Sequence, residues 1–302
     1  MPVTAADPHW RGWILAYFFL GGVAAGAYAL AGLAQFADRK QHLPMVRTAH
    51  FLAAPLMAVC AALLVIDLDH PKRFWHMLID PISRRPVLKP WSPMSIGSWV
   101  LLVFGIFTGW SFVCALADEG LWGLGRLRGP LALVRRLGLA GVGRAVGVAC
   151  AFFVATYTGA LLTATNQPVW SISPLLAAVF CASSASTGAA AVSLAGRIRG
   201  DAVPDVLWRW HVLERWLLVL EVASVLAWLY AIRQALPELL RSTAAQLVAA
   251  ATALGLLLPL LPERAKRAGH SSCLPAAWRA ASSLAAGLCL RYAVLWSAVA
   301  LR

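Results

Sequence analysis

Titratable side chains are scarce in the apolar parts of this sequence, so the few present carry weight. Asp67 closes one long apolar stretch, and Asp69, His70, Lys72 and Arg73 follow it directly. Glu221 stands at the centre of a second stretch, and Arg291 lies about one turn from the centre of a third by helical rise. Ionised groups within hydrocarbon are costly and are functional candidates by default. Glu221 and Arg291 can neutralise each other as a buried pair, serving either as a structural lock or as a proton relay.

Other chemistries are excluded by type and spacing. Six cysteines are present, Cys60, Cys114, Cys150, Cys181, Cys273 and Cys289, and none forms a CxxC or CxxxC pair. Iron–sulfur clusters need grouped thiolates, so none is expected in this chain. Five of the six lie inside apolar stretches and read as small packing residues. A transmembrane dihaem protein needs axial histidines on facing helices. Of seven histidines only His50 and His211 touch the apolar segments. Both fall at the same-side ends of their segments, where at most one haem could be ligated, and no haem is expected.

The elements that must position these groups are membrane helices. The chain is 60% hydrophobic and 13% charged, with mean hydropathy +0.71, whereas soluble domains keep about a quarter of their residues charged. Fourteen tryptophans suit a chain that meets two membrane interfaces. A span needs roughly 20 apolar residues, and spans read near 12–36, 49–68, 94–117, 143–165, 170–195, 208–232, 243–261 and 276–299, with Pro259 ending the seventh. Met1–Arg11 does not read as a cleavable leader, because it carries Asp7 and lacks a basic start.

The formal charge of +13 is explained by topology, because Lys and Arg fall in short runs between spans and not in a nucleic-acid-binding stripe. Sixteen of them follow spans 1, 3, 5 and 7, including Arg39, Lys40, Arg264, Lys266 and Arg267. Nine lie on the opposite side, including Arg11 and Arg302. The asymmetry places both termini outside, on the periplasmic face of a bacterial inner membrane. Five of the nine crowd between Lys72 and Lys89 against the trend, which marks that loop for a separate task. The Gly- and Arg-rich link from Arg126 to Arg144 reads as an interfacial segment. Ser183, Ser184, Ser186, Thr187 and Gly188 in span 5 read as small packing residues. The expected fold is all-α and integral to the membrane, eight helices in two four-helix bundles. The first bundle takes residues 1–166 and the second 167–302.

Five segments resemble one known family. They are Trp13–Gly26 (WILAYFFLGGVAAG), Asp67–Trp75 (DLDHPKRFW), Ser92–Trp99 (SPMSIGSW), Tyr157–Gly159 (YTG) and Asn166–Trp170 (NQPVW). In this order, across about 160 residues, they look like the NrfD family, typified by the membrane subunit of polysulfide reductase. The resemblance implies two four-helix bundles with a menaquinone or ubiquinone site near the outer face. It also implies two partners: a ferredoxin-like subunit with four-iron–four-sulfur clusters, and a molybdopterin catalytic subunit. Tyr157 is where the family holds a quinone carbonyl, a role that suits a neutral phenol donor. Some members place Asn and His on helix 1, where this chain has Ile14 and Tyr17, so Tyr17 is the substitute. Asp67 matches the acidic residue of the family's motif and would exchange protons, with His70 standing where relatives often have Arg. Ser95 and Asn166 complete the implied quinone site.

The implied function is a quinone-reactive membrane anchor of a respiratory oxidoreductase, taking its electron partner from another chain. The basic, Trp-containing loop Pro71–Trp91 lies on the implied quinone face and is placed to dock it. Two rivals belong to other classes. A secondary transporter would bind substrate at Glu221 and Arg291, but Pro55 and Pro174 do not occupy matching positions of two repeats. A bare structural anchor leaves Asp67, Asp69 and His70 without a purpose. A reporter that is active only in the cytoplasm, fused after Arg302, should be silent in cells. Activity would overturn the outward orientation.

Overall fold

The computed structural model describes residues 12–37, 43–136, 139–200, 204–260 and 273–300. The reading of Met1–Arg11 lies outside them, as do Arg39, Lys40, Arg264, Lys266, Arg267 and Arg302 of the charge count. The described residues are helical apart from turns and one isolated β-bridge. The long helices are α1 (Gly12–Ala37), α2 (Leu43–Asp67), α3 (Pro93–Glu119), α4 (Leu139–Thr163), α5 (Leu175–Arg199), α6 (Pro204–Ala231), α7 (Thr243–Leu257) and α8 (Cys273–Ala300). Six, α1 to α5 and α7 with its extension to Leu260, are long and apolar enough to cross a bilayer. Helices α6 and α8, 28 residues each, hold the buried ionisable residues Glu221 and Arg291.

Proline chemistry sets most of the edges. Pro93 follows the cap Ser92, whose Oγ accepts the Ser95 N–H, and Gly120 closes α3 in the left-handed conformation at φ 75°. The fifth span starts later than its apolar run suggests. Residues Pro168–Ser171 form a separate short helix, and Pro174 directly precedes α5. Helix α7 yields at Leu258–Leu260 to a 3-10 turn around Pro259, as expected. The link after α3 folds into a 3-10 segment, Leu121–Leu127, and a short helix, Arg128–Arg136.

Helices α1 and α5 form the centre. Helix α1 packs on α2, α4, α5 and α8, and α5 packs on α1, α2, α4, α6 and α8. Helix α3 bridges α2 and α4 at the side, and α7 pairs with α8. At the α1–α5 crossing the backbones themselves touch. A β-carbon on Gly26 would overlap the Ser184 carbonyl, and one on Gly188 would overlap Ala27 and Gly26. Without a hydrophobic drive between helices in lipid, such small-residue contact is what holds spans together. Outward faces carry large apolar side chains, among them Trp216, Leu226, Leu247 and Leu254, which suits lipid as solvent.

The loop after α2 is built rather than slack. A 3-10 helix, Pro71–Met77, leads into a tight turn closed by the Ile79–Pro86 bridge. The Asp80 carboxylate accepts the Ile82 N–H at 2.8 Å and the Ser83 N–H at 3.3 Å. Those backbone donors hold the Asp80 carboxyl below its ordinary value. The Trp99 indole donates to the Val87 carbonyl at 2.8 Å and the Lys89 N–H to Ser95 Oγ at 3.1 Å, fastening the loop to α3.

Gly26→Leu should prevent close approach of α1 and α5. Overpacking into backbone costs at least the ~1–3 kcal/mol seen for buried insertions, so the detergent-solubilised chain should melt markedly lower. Gly109→Ala, with no atom within 4 Å of its added carbon, should melt at or slightly above the parent. Equal melting of the two variants would contradict this packing.

Candidate functional site

Two tyrosines lie at the end of the molecule that carries the built loop. Tyr17, in the first third of α1, is buried, and Cys60 of α2 packs on the same turn with Sγ 3.9 Å from the Tyr17 carbonyl. Tyr157 comes from α4, stacked on Phe153 with ring centroids 5.4 Å apart and planes inclined 17°. Its phenol end lies on Gly97 of α3, where any β-carbon would overlap the ring and hydroxyl. Glycine at 97 is therefore what gives the phenol its place. Tyr17 is within electrostatic reach of Tyr157. Neither hydroxyl has a hydrogen-bond partner among the described residues, and a phenol without a protein partner is equipped to donate to a ligand.

The remaining expected site residues surround this pair without joining it. Asp67 is the last residue of α2 and is half-buried. His70 is exposed ahead of the 3-10 helix, its carbonyl accepting the Arg73 N–H at 2.9 Å. Ser95 is buried, and its Oγ accepts the Lys89 N–H. Asn166 is exposed in the turn after α4. Its neighbour in the same motif, Trp170, is fully buried and donates to the Val294 carbonyl at 2.7 Å, tying the α4–α5 link to α8. Among the described residues, no hydrogen bond or ion pair connects Asp67, His70, Ser95 or Asn166 to the two phenols.

Glu221 and Arg291 are both buried, yet they do not form a salt bridge with each other. Serines of α5 stand at the carboxylate and at the guanidinium. Arg291 Nη1 donates to Ser183 Oγ (2.9 Å) and to the Gly287 carbonyl (2.9 Å), Nη2 to Ser184 Oγ (3.1 Å), and Nε to the Phe18 carbonyl (3.1 Å). Its guanidinium also lies 5.5 Å from the Phe180 ring centre and 5.8 Å from that of Phe19. Ser186 donates to the Glu221 carboxylate. The serine run of α5 thus does more than fill space: it supplies the polar partners of both buried charges. A helix-packing reading of those serines missed this, because spacing alone does not say which facing helix brings a charge.

A further polar cluster was not anticipated. Glu214, two turns before Glu221 on α6, accepts from Ser193, two turns after Ser186 on α5. His211 Nδ1 lies 3.1 Å from the other Glu214 oxygen, and its Nε2 lies 2.6 Å from Arg197 Nη2. The signal was available in the sequence: Glu214 and Glu221 are seven apart, as are Ser186 and Ser193, so both pairs recur on facing helix surfaces. His50, in turn, lies 3.2 Å from the Gln35 amide.

A family model described as "Polysulphide reductase, NrfD" matches residues 3–300. A selenate reductase subunit of Mesobacillus selenatarsenatis (strain DSM 18680 / JCM 14380 / FERM P-15431 / SF-1) is 30% identical to this chain over 107 residues. That stretch covers 35% of this chain and 23% of the relative, so it spans under a quarter of the relative's length.

Proposed function

This multi-pass chain belongs to the NrfD (polysulphide reductase) family, and we propose that it is the quinone-reactive membrane subunit of a respiratory molybdoenzyme complex. In this reading it exchanges electrons between a menaquinone or ubiquinone pool and a ferredoxin-like four-iron–four-sulfur subunit, which serves a molybdopterin catalytic subunit. The chain itself holds neither haem nor cluster. All eight long helices cross the inner membrane, as two four-helix halves divided at 166/167, with both termini periplasmic. The supporting relative belongs to a selenate reductase by name, which favours an oxyanion-reducing system of this general kind.

The observation that carries the proposal is the pair of phenols, Tyr17 and Tyr157, whose hydroxyls find no protein partner among the described residues beside the Gly97 notch. The residues present suit a quinone headgroup: two neutral donors and an apolar surround of Phe18, Phe153 and Cys60. Quinol, when bound, supplies two electrons and two protons. Tyr157 donates to a ring oxygen and fixes its distance, and Tyr17 closes the slot from α1. Asp67, half-buried at the rim, takes the two released protons one after the other toward the aqueous face, and exposed His70 passes each on. The exposed cations Lys72, Arg73, Arg84, Arg85 and Lys89, with exposed Ile82 and Trp91, give the loop a face for the cluster-bearing partner.

A second reading is proton translocation through the α5–α6 interface. The repeated pairs Glu214·Ser193 and Glu221·Ser186 favour it, since they place protonatable groups two turns apart along one seam. Substrate transport at Arg291 is disfavoured, because four of the five guanidinium N–H groups already have protein acceptors.

Tyr157→Phe removes one neutral hydrogen bond and should weaken quinone binding by roughly 0.5–1.5 kcal/mol. Asp67→Asn keeps size but removes the proton acceptor, so it should depress turnover more than affinity. Quinol oxidation by the intact complex, with quinone content assayed alongside, checks both. Parental turnover in both variants would return Tyr157 and Asp67 to structural roles.

A further inference from the structure

At the other end of the α1–α4 group, away from the two phenols, a cavity of about 360 Å³ opens between α1, α2, α3 and α4. Ile106, Phe107 and Trp110 of α3 form its apolar wall, and Ile106 and Trp110 are also exposed on the outer face of that helix. The cavity therefore borders the surface that lipid covers.

Its polar wall is unfinished. Arg47 and His50 both line the cavity, and Arg47 Nε and His50 Nδ1 are closed to solvent and lack a hydrogen-bond partner. They are three residues apart on α2 and so share one helix face. His50 Nε2 lies 3.2 Å from the Gln35 amide nitrogen. An amide NH₂ only donates, so with that amide orientation Nε2 accepts and Nδ1 carries the proton. Both unpartnered atoms are then donors, on two residues that border one space. Buried donors left unmade are costly, so the group that completes this wall must be rich in acceptors. Among the charged side chains of the cavity, Arg47 and Arg144 face a single carboxylate, Asp118, leaving one positive charge in excess. A neutral quinone carbonyl would leave that charge uncompensated.

We propose that this cavity binds a phosphate group, that of an anionic glycerophospholipid. Arg47 Nε and His50 Nδ1 donate to its non-bridging oxygens, and an acyl chain runs out past Ile106 and Trp110. Guanidinium paired with phosphate makes short, charge-assisted hydrogen bonds, and basic pockets between helix ends take lipid headgroups for the same reason. The site is separate from the proposed quinone position and does not depend on it.

The test uses the full chain in its complex, exchanged into phosphatidylcholine nanodiscs and titrated with phosphatidylglycerol. Retained lipid is counted by native mass spectrometry, and the melting midpoint is followed in parallel. The parent should retain one phosphatidylglycerol per chain against a phosphatidylcholine background and melt higher with it. Arg47→Gln should lose about tenfold or more in apparent affinity, the order expected for a charged hydrogen bond. Arg241→Gln, exposed in the turn ahead of α7 and outside the cavity, should match the parent. His50→Phe, which keeps a ring but no nitrogen, gives a second reading where Arg47→Gln fails to assemble. An equal melting shift with inorganic phosphate alone would support the oxyanion site and assign its occupant to a soluble source. Equal retention of both lipids by the parent, equal phosphatidylglycerol affinity in the parent and Arg47→Gln, or stoichiometric displacement of phosphatidylglycerol by a short-chain quinone would overturn the proposal.

Discussion

Arg291 reaches from α8 into the place where α1 and α5 cross backbone to backbone, and the arrangement of the helices follows from how that cation is held. A guanidinium stripped of water is tolerable only where nearly every N–H has an acceptor. Here the acceptors come from three helices: the Phe18 carbonyl of α1, Ser183 and Ser184 of α5, and the Gly287 carbonyl of α8. Small residues are required on all sides, since a β-carbon at Gly22 would strike the guanidinium and one at Gly26 would strike α5 itself. The seat thus fastens an element of the first half of the chain to two of the second. It also fixes the register of α1 one residue from Tyr17, so the structural charge and the candidate quinone site share a helix turn.

The same logic extends along the α5–α6 seam. Each carboxylate that faces α5 meets a serine hydroxyl, buried Glu221 with Ser186 and part-buried Glu214 with Ser193. In lipid, a polar group must find its partner inside the protein. Hydroxyls on a close-packed helix provide partners without forcing the helices apart. A structure that seats its charges this way, leaving one Glu221 oxygen without a partner, can place chemistry at its ends while keeping the middle tight. The phenols at one end and the Arg47–His50 cavity at the other belong to the same four helices, α1 to α4, yet share no residue.

Much of the architecture was legible in the sequence because length and apolarity dictate membrane helices directly. Helices α1, α3 and α7 begin within a residue or so of where the apolar runs place them, and Pro259 ends α7. The error at the start of α5 has a simple cause: two prolines, Pro168 and Pro174, cut a continuous apolar run into a separate turn. Side-chain pairing was harder to read. Glu221 and Arg291 look like natural partners by sign and depth, and they do feel each other's charge, but serines of α5 stand between them in place of a direct salt bridge, with Ser183 serving both. Gly97 stood inside a recognisable motif, while its role as the floor under Tyr157 depends on the way α3 and α4 face each other. The cavity lined by Arg47 and His50 is assembled from four helices and leaves no local trace in the sequence.

The central claim is that a quinone headgroup sits between Tyr17, Gly97 and Tyr157. The most direct measurement is photolabelling of the intact membrane complex with an azidoquinone, followed by mapping of the labelled peptides. The account predicts labelling of the α4 segment containing Tyr157, together with the α1 segment around Tyr17, and protection of both by excess natural quinone. Label confined to peptides containing Glu221 or Arg291, or label at Tyr157 that quinone fails to compete away, would contradict it.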